Sequence, residues 1–172
     1  HAAVARGLEM LRNGADVIDI GGESTRPGAA PVDAAEEMRR VLPVIKALRE
    51  QTAARISIDS FKPEVARAAI AAGADIWNDV TALREPGAIE TAAELGVPVI
   101  LMHMAGTPSS MQQAPHYRDV VSEVCDFLTY RADIAMAGGV DAGSIWLDPG
   151  IGFGKSLDHN LALMRDLDQV IA

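Results

Sequence analysis

Short apolar runs alternate along the chain with segments of helical periodicity. The helical segments repeat apolar residues every three to four positions, and this spacing predicts amphipathic helices. The apolar runs are rich in Val and Ile, and several follow a glycine that can end a helix, which predicts strands buried on both faces of a parallel sheet. The predicted strands are residues 16–20, 55–59, 76–78, 97–102 and 144–148.

Three helical segments carry further signals. The first has its apolar face at Met38, Val41, Leu42, Ile45 and Leu48. Pro43 lies inside it, so we expect a kink or a broken start there. The stretch EPGAIETAAEL predicts a short helix that opens at Pro86 and closes before Gly96. The third has its apolar face at Tyr117, Val120, Val121, Val124, Phe127 and Leu128.

Strict alternation of strand and helix predicts an α/β protein with a parallel sheet, either a doubly wound open sheet or a (β/α)8 TIM barrel. The strands recur about every 32 residues, close to the spacing in a barrel of ~250 residues, but an open sheet can show similar spacing. The strand ends favour the barrel, because barrels build their sites from the ends of several strands. Every predicted strand ends in a polar residue: Asp19, Asp59, Asn78 with Asp79, His103 and Asp148. We therefore predict a partial barrel, with about five of eight strands.

Composition narrows the function classes. A chain of 172 residues that is 49% hydrophobic can bury one substantial core, as one domain or part of one. A net charge of -9 without any basic run argues against a protein that neutralises nucleic-acid phosphates. Cys125 is the only cysteine, which excludes an internal disulfide, and we interpret it as a buried small apolar residue. No stretch resembles a membrane span or a signal peptide, so we expect a cytoplasmic protein without a membrane partner.

Three strand ends together suggest a binding site. Asp59, Asn78 and Asp148 could accept from and donate to a flat heterocycle with an amino-pyrimidinone edge, such as pterin or guanine. The alternative for each residue is a turn or a helix cap. Met102 and Met104 are either core residues or an apolar wall for the ring, and we expect one of the two to face inward.

Two loops and a histidine offer further candidates. The loop GGESTRPGA, residues 21–29, contains Arg26, which could grip a carboxylate or a diphosphate, or the loop could simply be solvated. Glu23 suits either chemistry or local turn structure. LDPGIGFGKS is not a phosphate-binding loop, because Pro149 stands where that motif requires glycine. His103 has no second histidine at helical spacing, which favours a packed, hydrogen-bonded residue over a general base or metal ligand.

Four stretches resemble dihydropteroate synthase of the pterin-binding enzyme family: IDIGGESTRPGA, ISIDSFKPEVARAAIAAGADIWNDV, LMHMAGTPSSMQQAP and LDPGIGFGKS. The resemblance runs over essentially all of residues 1–172 and implies part of a single pterin-binding barrel domain. It implies condensation of 4-aminobenzoate with 6-hydroxymethyl-7,8-dihydropterin diphosphate, which gives 7,8-dihydropteroate and diphosphate. Such enzymes are sulfonamide targets in folate biosynthesis.

The resemblance also assigns roles to residues. It implies that Asp59, Asn78 and Asp148 line the pterin pocket, with Met102 against the ring and Val80 in the floor. It implies that Thr25, Arg26 and Pro27 belong to a mobile loop over aminobenzoate and diphosphate, and that Gly152 and Phe153 lie where aminobenzoate docks. Asp59, Thr25 and Arg26 would act in catalysis.

Other parts of the family pattern are expected outside this sequence. The resemblance places the first strand and the asparagine that binds Mg²⁺ before residue 1, and a lysine, an arginine and a histidine after residue 172. No metal ligand is expected within the segment. We expect the segment alone to be inactive, and the complete protein to be active and to form a homodimer.

The sequence pattern is also compatible with two other functions. A methyltetrahydrofolate-binding barrel that serves a corrinoid partner would share the Asp, Asn, Asp pocket, but the loop at residues 22–28 favours the synthase. A non-catalytic homologue is the second alternative, and the flanking sequence would distinguish it.

Overall fold

The structure is a computed structural model that describes residues 2–26, 28–106, 111 and 115–170. Five strands and seven helices alternate along these residues. The strands are β1 Val17–Gly21, β2 Arg55–Asp59, β3 Ile76–Asp79, β4 Val99–Met102 and β5 Ile145–Asp148. The helices are α1 Ala2–Arg12, α2 Ala34–Arg49, α3 Pro63–Ala71, α4 Ala88–Leu95, α5 Val120–Ala137, α6 Leu157–Arg165 and α7 Leu167–Val170. A 3₁₀ turn at Ala142–Ser144 leads into β5.

All five predicted strands are present, and their ends differ from the prediction by at most two residues. The largest difference is the start of β4, which follows Pro98. Proline has no backbone N–H to donate to a neighbouring strand, so a strand readily begins after it.

The strands form one parallel sheet in the order β1-β2-β3-β4-β5. A doubly wound sheet reverses its strand order at a switch point, whereas a barrel adds each strand beside the previous one. The order of the described strands never reverses. The sheet is therefore wound in one direction only, as in five successive strands of a barrel.

The two faces of the sheet differ in chemistry. One face packs under the helices in the main hydrophobic core, which includes Ile18, Ile20, Ile56, Ile58, Trp77, Val99 and Leu101 of the sheet. Alternation along the strands turns Asp19, Ser57, Asp59, Asn78 and Asp148 to the opposite face. We call this opposite face the inner face, because it corresponds to the interior of a barrel.

The broken start predicted near Pro43 is wrong, because α2 runs without interruption from Ala34 to Arg49. The helix begins where the side chain of Asp33 accepts a hydrogen bond of 2.8 Å from the backbone N–H of Glu36. Pro43 thus lies well inside a helix that starts earlier, and the apolar contacts of the buried Val41, Ile45 and Leu48 hold that helix on the sheet.

Two other helix starts also differ from the prediction. Helix α4 begins at Ala88, after Gly87 with φ 78°, so Pro86 precedes the helix. Helix α5 begins at Val120, because the carboxylate of Asp119 accepts from the backbone N–H groups of Val121 and Ser122 at 3.1 and 3.3 Å. Tyr117 therefore lies before α5.

Cys125 on α5 is half-buried, not fully buried as predicted, and packs beside the smaller core that α5 forms with α6 and α7. Within the described residues, no helix is both long and apolar enough to cross a membrane.

Candidate functional site

The inner face carries a polar group at the carboxyl ends of its strands. Strand register places Asp59 beside Asn78 and Met102 beside Asp148. Asp19 is level with Ser57, two residues before Asp59, and accepts hydrogen bonds from Ser57 Oγ and, at 3.2 Å, from Asn78 Nδ2. The structure thus brings together at one edge three polar residues and a methionine that were widely separated in sequence.

Asp59 has an unusual electrostatic environment. Its burial, followed by the nearby carboxylates of Asp19 and Glu37, raises the pKa of Asp59 to about 7. A carboxyl group with this pKa exchanges its proton near neutral pH, which is a common property of functional sites. The side chain is half-buried and so remains accessible from the inner face.

Asp148 lies on the inner face and also takes part in a local turn. One carboxylate oxygen, Oδ1, accepts a hydrogen bond of 2.7 Å from the backbone N–H of Gly150. The turn interpretation therefore holds for this oxygen. It does not conflict with a binding role for the carboxylate, which has a second oxygen.

An apolar cluster adjoins these polar groups. Its buried members are Val80, Met102, Met104 and Met111, and Phe61 and Phe153 pack against them. The prediction that only one of Met102 and Met104 turns inward is wrong, because both are buried in this cluster. Residues two apart in an extended chain share a face, so Met104, just beyond the end of β4, lies on the same side as Met102. The cluster joins Val80, Met102 and Phe153 and adds Phe61, which the sequence did not indicate.

The conformation of the loop between β5 and α6 explains why LDPGIGFGKS contains three glycines. Gly150, Gly152 and Gly154 all have positive φ, which glycine adopts without steric cost. A Cβ at Gly150 would lie 2.0 Å from the carbonyl oxygen of His103, so only glycine fits there. These glycines allow the loop to lie against the end of β4.

Lys155 and His103 form a buried pair in the same place. Lys155 Nζ lies 2.9 Å from His103 Nδ1 and donates to the carbonyls of Gly150 and Phe153 at 2.9 and 3.0 Å. Burial, followed by the positive charge of Lys155, lowers the pKa of His103 to about 4. His103 is therefore a neutral, packed histidine, and its ring also makes an edge contact with Phe127 at 4.9 Å.

Part of the loop after β1 lines a cleft next to the apolar cluster. Thr25 and Arg26 line a cleft of about 390 Å³, together with Phe61, Arg84 and Met104 among others. Asp59, Asn78 and Asp148 do not line this cleft. The structure therefore brings Thr25 and Arg26 near the apolar cluster, through Phe61 and Met104, but not to the polar group. Pro27 lies outside the described residues.

A buried ionic cluster anchors the start of this loop. Lys62 Nζ donates to Glu23 and, at 2.6 Å, to Glu37, whose side chain is only 1% exposed. Burial alone would lower the pKa of Lys62, but its hydrogen bonds to the two glutamates raise it above the ordinary value. Glu37 Oε1 is buried and has no hydrogen-bond partner among the described residues. One feature of the sequence indicated that Glu37 is buried: it falls on the same helical spacing as the buried Val41, Ile45 and Leu48.

Asp79 does not belong to the polar group, although the sequence placed it there with Asn78. It points to the helix face, is fully buried, and accepts hydrogen bonds from Thr81 and from the backbone N–H of Leu83. Ala82 and Leu83 both have φ 56°, and Arg131 donates to their carbonyls at 2.8 and 2.9 Å. Burial is the main reason that the pKa of Asp79 rises to about 6. Asp79 forms the turn that follows β3.

No group of three or more His, Cys, Asp or Glu side chains lies close enough to hold a metal ion in the part of the chain that the structure describes.

A singly wound parallel sheet with polar and apolar residues grouped at its carboxyl edge is typical of a barrel-type protein. Comparison with known proteins agrees with this class. A family profile described as "Pterin binding enzyme" matches residues 1–172. The chain belongs to the pterin-binding enzyme family.

Several relatives are dihydropteroate synthases. The chain is 48% identical over 165 residues to the enzyme of Escherichia coli (strain K12) and 49% identical over 163 residues to that of Streptococcus pyogenes. These matches cover 96% and 94% of the chain, but only 58% and 59% of the two relatives. The resemblance to dihydropteroate synthase is thus confirmed over a part of such an enzyme.

Solved structures extend the likeness to the fold. The dihydropteroate synthase of Xanthomonas albilineans with 4-aminobenzoic acid matches with a TM-score of 0.92 and 54% identity, over 98% of this chain and 60% of that one. The Yersinia pestis enzyme in a sulfonamide drug complex matches with a TM-score of 0.94 and 44% identity, over 97% and 61%. The prediction of an incomplete (β/α)8 barrel is confirmed.

Proposed function

We propose that this chain forms the pterin-binding part of a dihydropteroate synthase. The complete protein would join 4-aminobenzoate to 6-hydroxymethyl-7,8-dihydropterin diphosphate and give 7,8-dihydropteroate and diphosphate. The observation that carries the proposal is the approach of Asp59, Asn78 and Asp148 at one strand edge, beside the apolar cluster. The match of the whole chain to the pterin-binding enzyme family supports it.

The polar group suits the edge of the pterin ring. An amino-pyrimidinone edge offers adjacent N–H donors, which carboxylate oxygens accept, and ring acceptors, which the Asn78 amide can satisfy. Met102 and Val80, both buried in the apolar cluster, would contact the flat faces of the ring. A ring without the matching donors would leave buried polar groups unpaired, so this arrangement selects for pterin.

The second substrate would bind next to the first. Phe153 packs against the same apolar cluster as Met102, so Gly152 and Phe153 are suitably placed for the aromatic ring of aminobenzoate. Thr25 and Arg26, together with Pro27, would close over aminobenzoate and diphosphate. In the structure, Thr25 and Arg26 line the neighbouring cleft, so this step requires the loop to move.

The chemistry would be a displacement at the pterin methylene carbon. The bond from this carbon to the diphosphate oxygen breaks and its electron pair leaves with diphosphate. The amine nitrogen of aminobenzoate forms the new carbon–nitrogen bond and then releases a proton to solvent. Positive charge develops on the methylene as diphosphate leaves, and an ionised Asp59 would stabilise it electrostatically.

Three further features belong to this proposal. Mg²⁺ would neutralise the departing diphosphate, with a ligand expected upstream of residue 1. The complete protein would be a homodimer. A cytoplasmic location would suit its small, phosphorylated substrates.

Pterin binding by the complete gene product tests the proposal. Asp148→Ala should weaken binding of a pterin roughly 10- to 100-fold, the range for a lost hydrogen bond to a charged group. Asp148→Asn should keep the turn with Gly150 and still weaken binding, whereas Asp133→Ala on the exposed face of α5 should leave it unchanged. Unchanged affinity in Asp148→Ala would refute the pocket assignment.

Activity is then measured directly. Wild-type protein supplied with both substrates and Mg²⁺ should release diphosphate in a coupled assay. Tight binding of methyltetrahydrofolate without any diphosphate release would favour the corrinoid-linked alternative.

A further inference from the structure

Lys155 is a buried charged residue to which the proposed reaction assigns no role. The residue is only 4% exposed. An isolated ammonium group is costly to bury, so a protein that buries one must supply acceptors. Nζ has four of them: His103 Nδ1 at 2.9 Å, and the carbonyls of His103, Gly150 and Phe153 at 3.3, 2.9 and 3.0 Å.

These acceptors come from two separate places in the fold. Gly150 and Phe153 belong to the loop between β5 and α6, and His103 directly follows β4. The ammonium therefore joins the loop to the end of the neighbouring strand. An ammonium group only donates, so Nδ1 of His103 accepts and the ring proton is on Nε2.

Other side chains hold the same loop. Tyr117 donates to the carbonyl of Gly154 at 2.9 Å, and Asn160 accepts from the backbone N–H of Gly152 at 2.9 Å. The loop also lies close to residue 105, because a Cβ at Gly154 would lie 2.9 Å from Ala105 Cβ. Lys155 is the charged member of this group and contacts the backbone on both sides of Gly152.

The geometry argues against a direct contact between Lys155 and an anionic substrate. Three ammonium protons are already shared among four acceptors in a buried place, so an incoming phosphate oxygen would have to displace one of them. The P-loop resemblance of this lysine is therefore coincidental.

We propose that Lys155 is a positioning residue for the aminobenzoate half of the site. By holding the carbonyls of Gly150 and Phe153 against the end of β4, it sets the direction in which Phe153 and Gly152 face the second substrate. It acts through these residues and touches neither substrate. The inference rests on the proposed function and deepens it.

Steady-state kinetics of the complete gene product can separate this role from general stabilisation. Lys155→Met removes the ammonium group but keeps an apolar stem of similar length, and Lys46→Met on the exposed face of α2 is the matched control. We expect KM for 4-aminobenzoate to rise roughly 10- to 100-fold, the cost of misplacing a group by about 1 Å. The Kd of 6-hydroxymethylpterin should stay within about threefold, because the polar group and Met102 remain in place.

A conservative variant provides the rescue test. Lys155→Arg keeps the charge and several donors, so it should recover part of the loss in KM for aminobenzoate. If Lys155→Met does not fold, Lys155→Gln, which retains one uncharged donor group, takes its place in the same comparison.

The outcomes separate the two proposals. An unaltered KM for aminobenzoate, or an equal loss for both substrates, would overturn the role of Lys155 while leaving the synthase assignment intact. Absence of dihydropteroate formation by the folded wild type would instead refute the proposed function.

Discussion

Lys62 joins the loop after β1 to helix α2, and its removal should strongly destabilise the protein. In Lys62→Met, Glu37 would keep a buried carboxylate without its cation, facing the carboxylate of Glu23. Lys62 and Glu23 side chains are 15% and 14% exposed, and that of Glu37 is 1% exposed, so water compensates little. Methionine also removes a cation–π contact, because Nζ of Lys62 lies 4.4 Å from the centroid of the Phe61 ring.

The magnitude follows from this burial. Breaking a buried ion pair by removing one partner costs about 3–5 kcal/mol, because an uncompensated charge remains. Glu37→Gln should cost less, about 1–3 kcal/mol, since Lys62 retains Glu23 and the amide is neutral. In the double variant the orphan charge is gone, so the two losses should fall short of additivity by about 2 kcal/mol.

Urea unfolding of the complete gene product, followed by tryptophan fluorescence, measures these free energies, because Trp77 is fully buried in the core. Arg6→Met is the matched control. Its partner Glu9 forms an exposed pair, so the loss should be less than about 1 kcal/mol. A loss below about 1 kcal/mol in Lys62→Met, or strict additivity in the double variant, would refute the reasoning.

Two further predictions concern Asp59 and the turn after β3. Because burial and the neighbouring carboxylates raise the pKa of Asp59 to about 7, kcat/KM should fall about tenfold for each pH unit well below that value, and Asp59→Asn should remove this slope. A flat activity profile would contradict this role of Asp59. The folded protein also binds the proton more tightly than the unfolded chain, so this group's contribution to the free energy of unfolding is full below about pH 4 and declines up to about pH 7. The same pH dependence of the free energy of unfolding in Asp59→Asn would contradict this second effect. Ala82→Gly should change the free energy of unfolding by less than about 1 kcal/mol, as measured by thermal unfolding. Glycine relieves the strain of the positive φ, about 1–2 kcal/mol, and this gain offsets the lost methyl contacts and the added entropy of the unfolded chain. Ala92→Gly, at a buried position inside α4, should lose about 1–2 kcal/mol, and equal losses at both positions would contradict the strain argument.

The strands could be predicted because their signal is local. A strand that is covered on both faces must be apolar along most of its length, and a glycine or proline marks its boundary. The start of β4 shifted by two residues because the sequence alone did not show that pairing begins after Pro98. Helix starts were less certain, since Asp119 caps α5 through backbone contacts that only the folded chain displays.

Part of the candidate site followed from topology. Parallel strands present their carboxyl ends at one edge, so polar residues at the ends of β2, β3 and β5 had to come close together. Asp79 did not join them, because one step along a strand turns a side chain to the opposite face. Met104 joined Met102 in the apolar cluster, because residues two apart in an extended chain share a face.

The sequence by itself determined the class of fold, the strand edge that carries the site, and the resemblance to the pterin-binding enzyme family. Each depends on local periodicity or on short motifs. The tertiary structure decided which charges are buried and with which partners, as in Lys62 with Glu37 and Lys155 with His103. These partners are separated by 25 and 52 residues in the chain. The sequence does not show whether a lysine or a glutamate is solvated or buried. Only the packing of distant segments supplies the acceptor or the opposite charge that makes its burial tolerable.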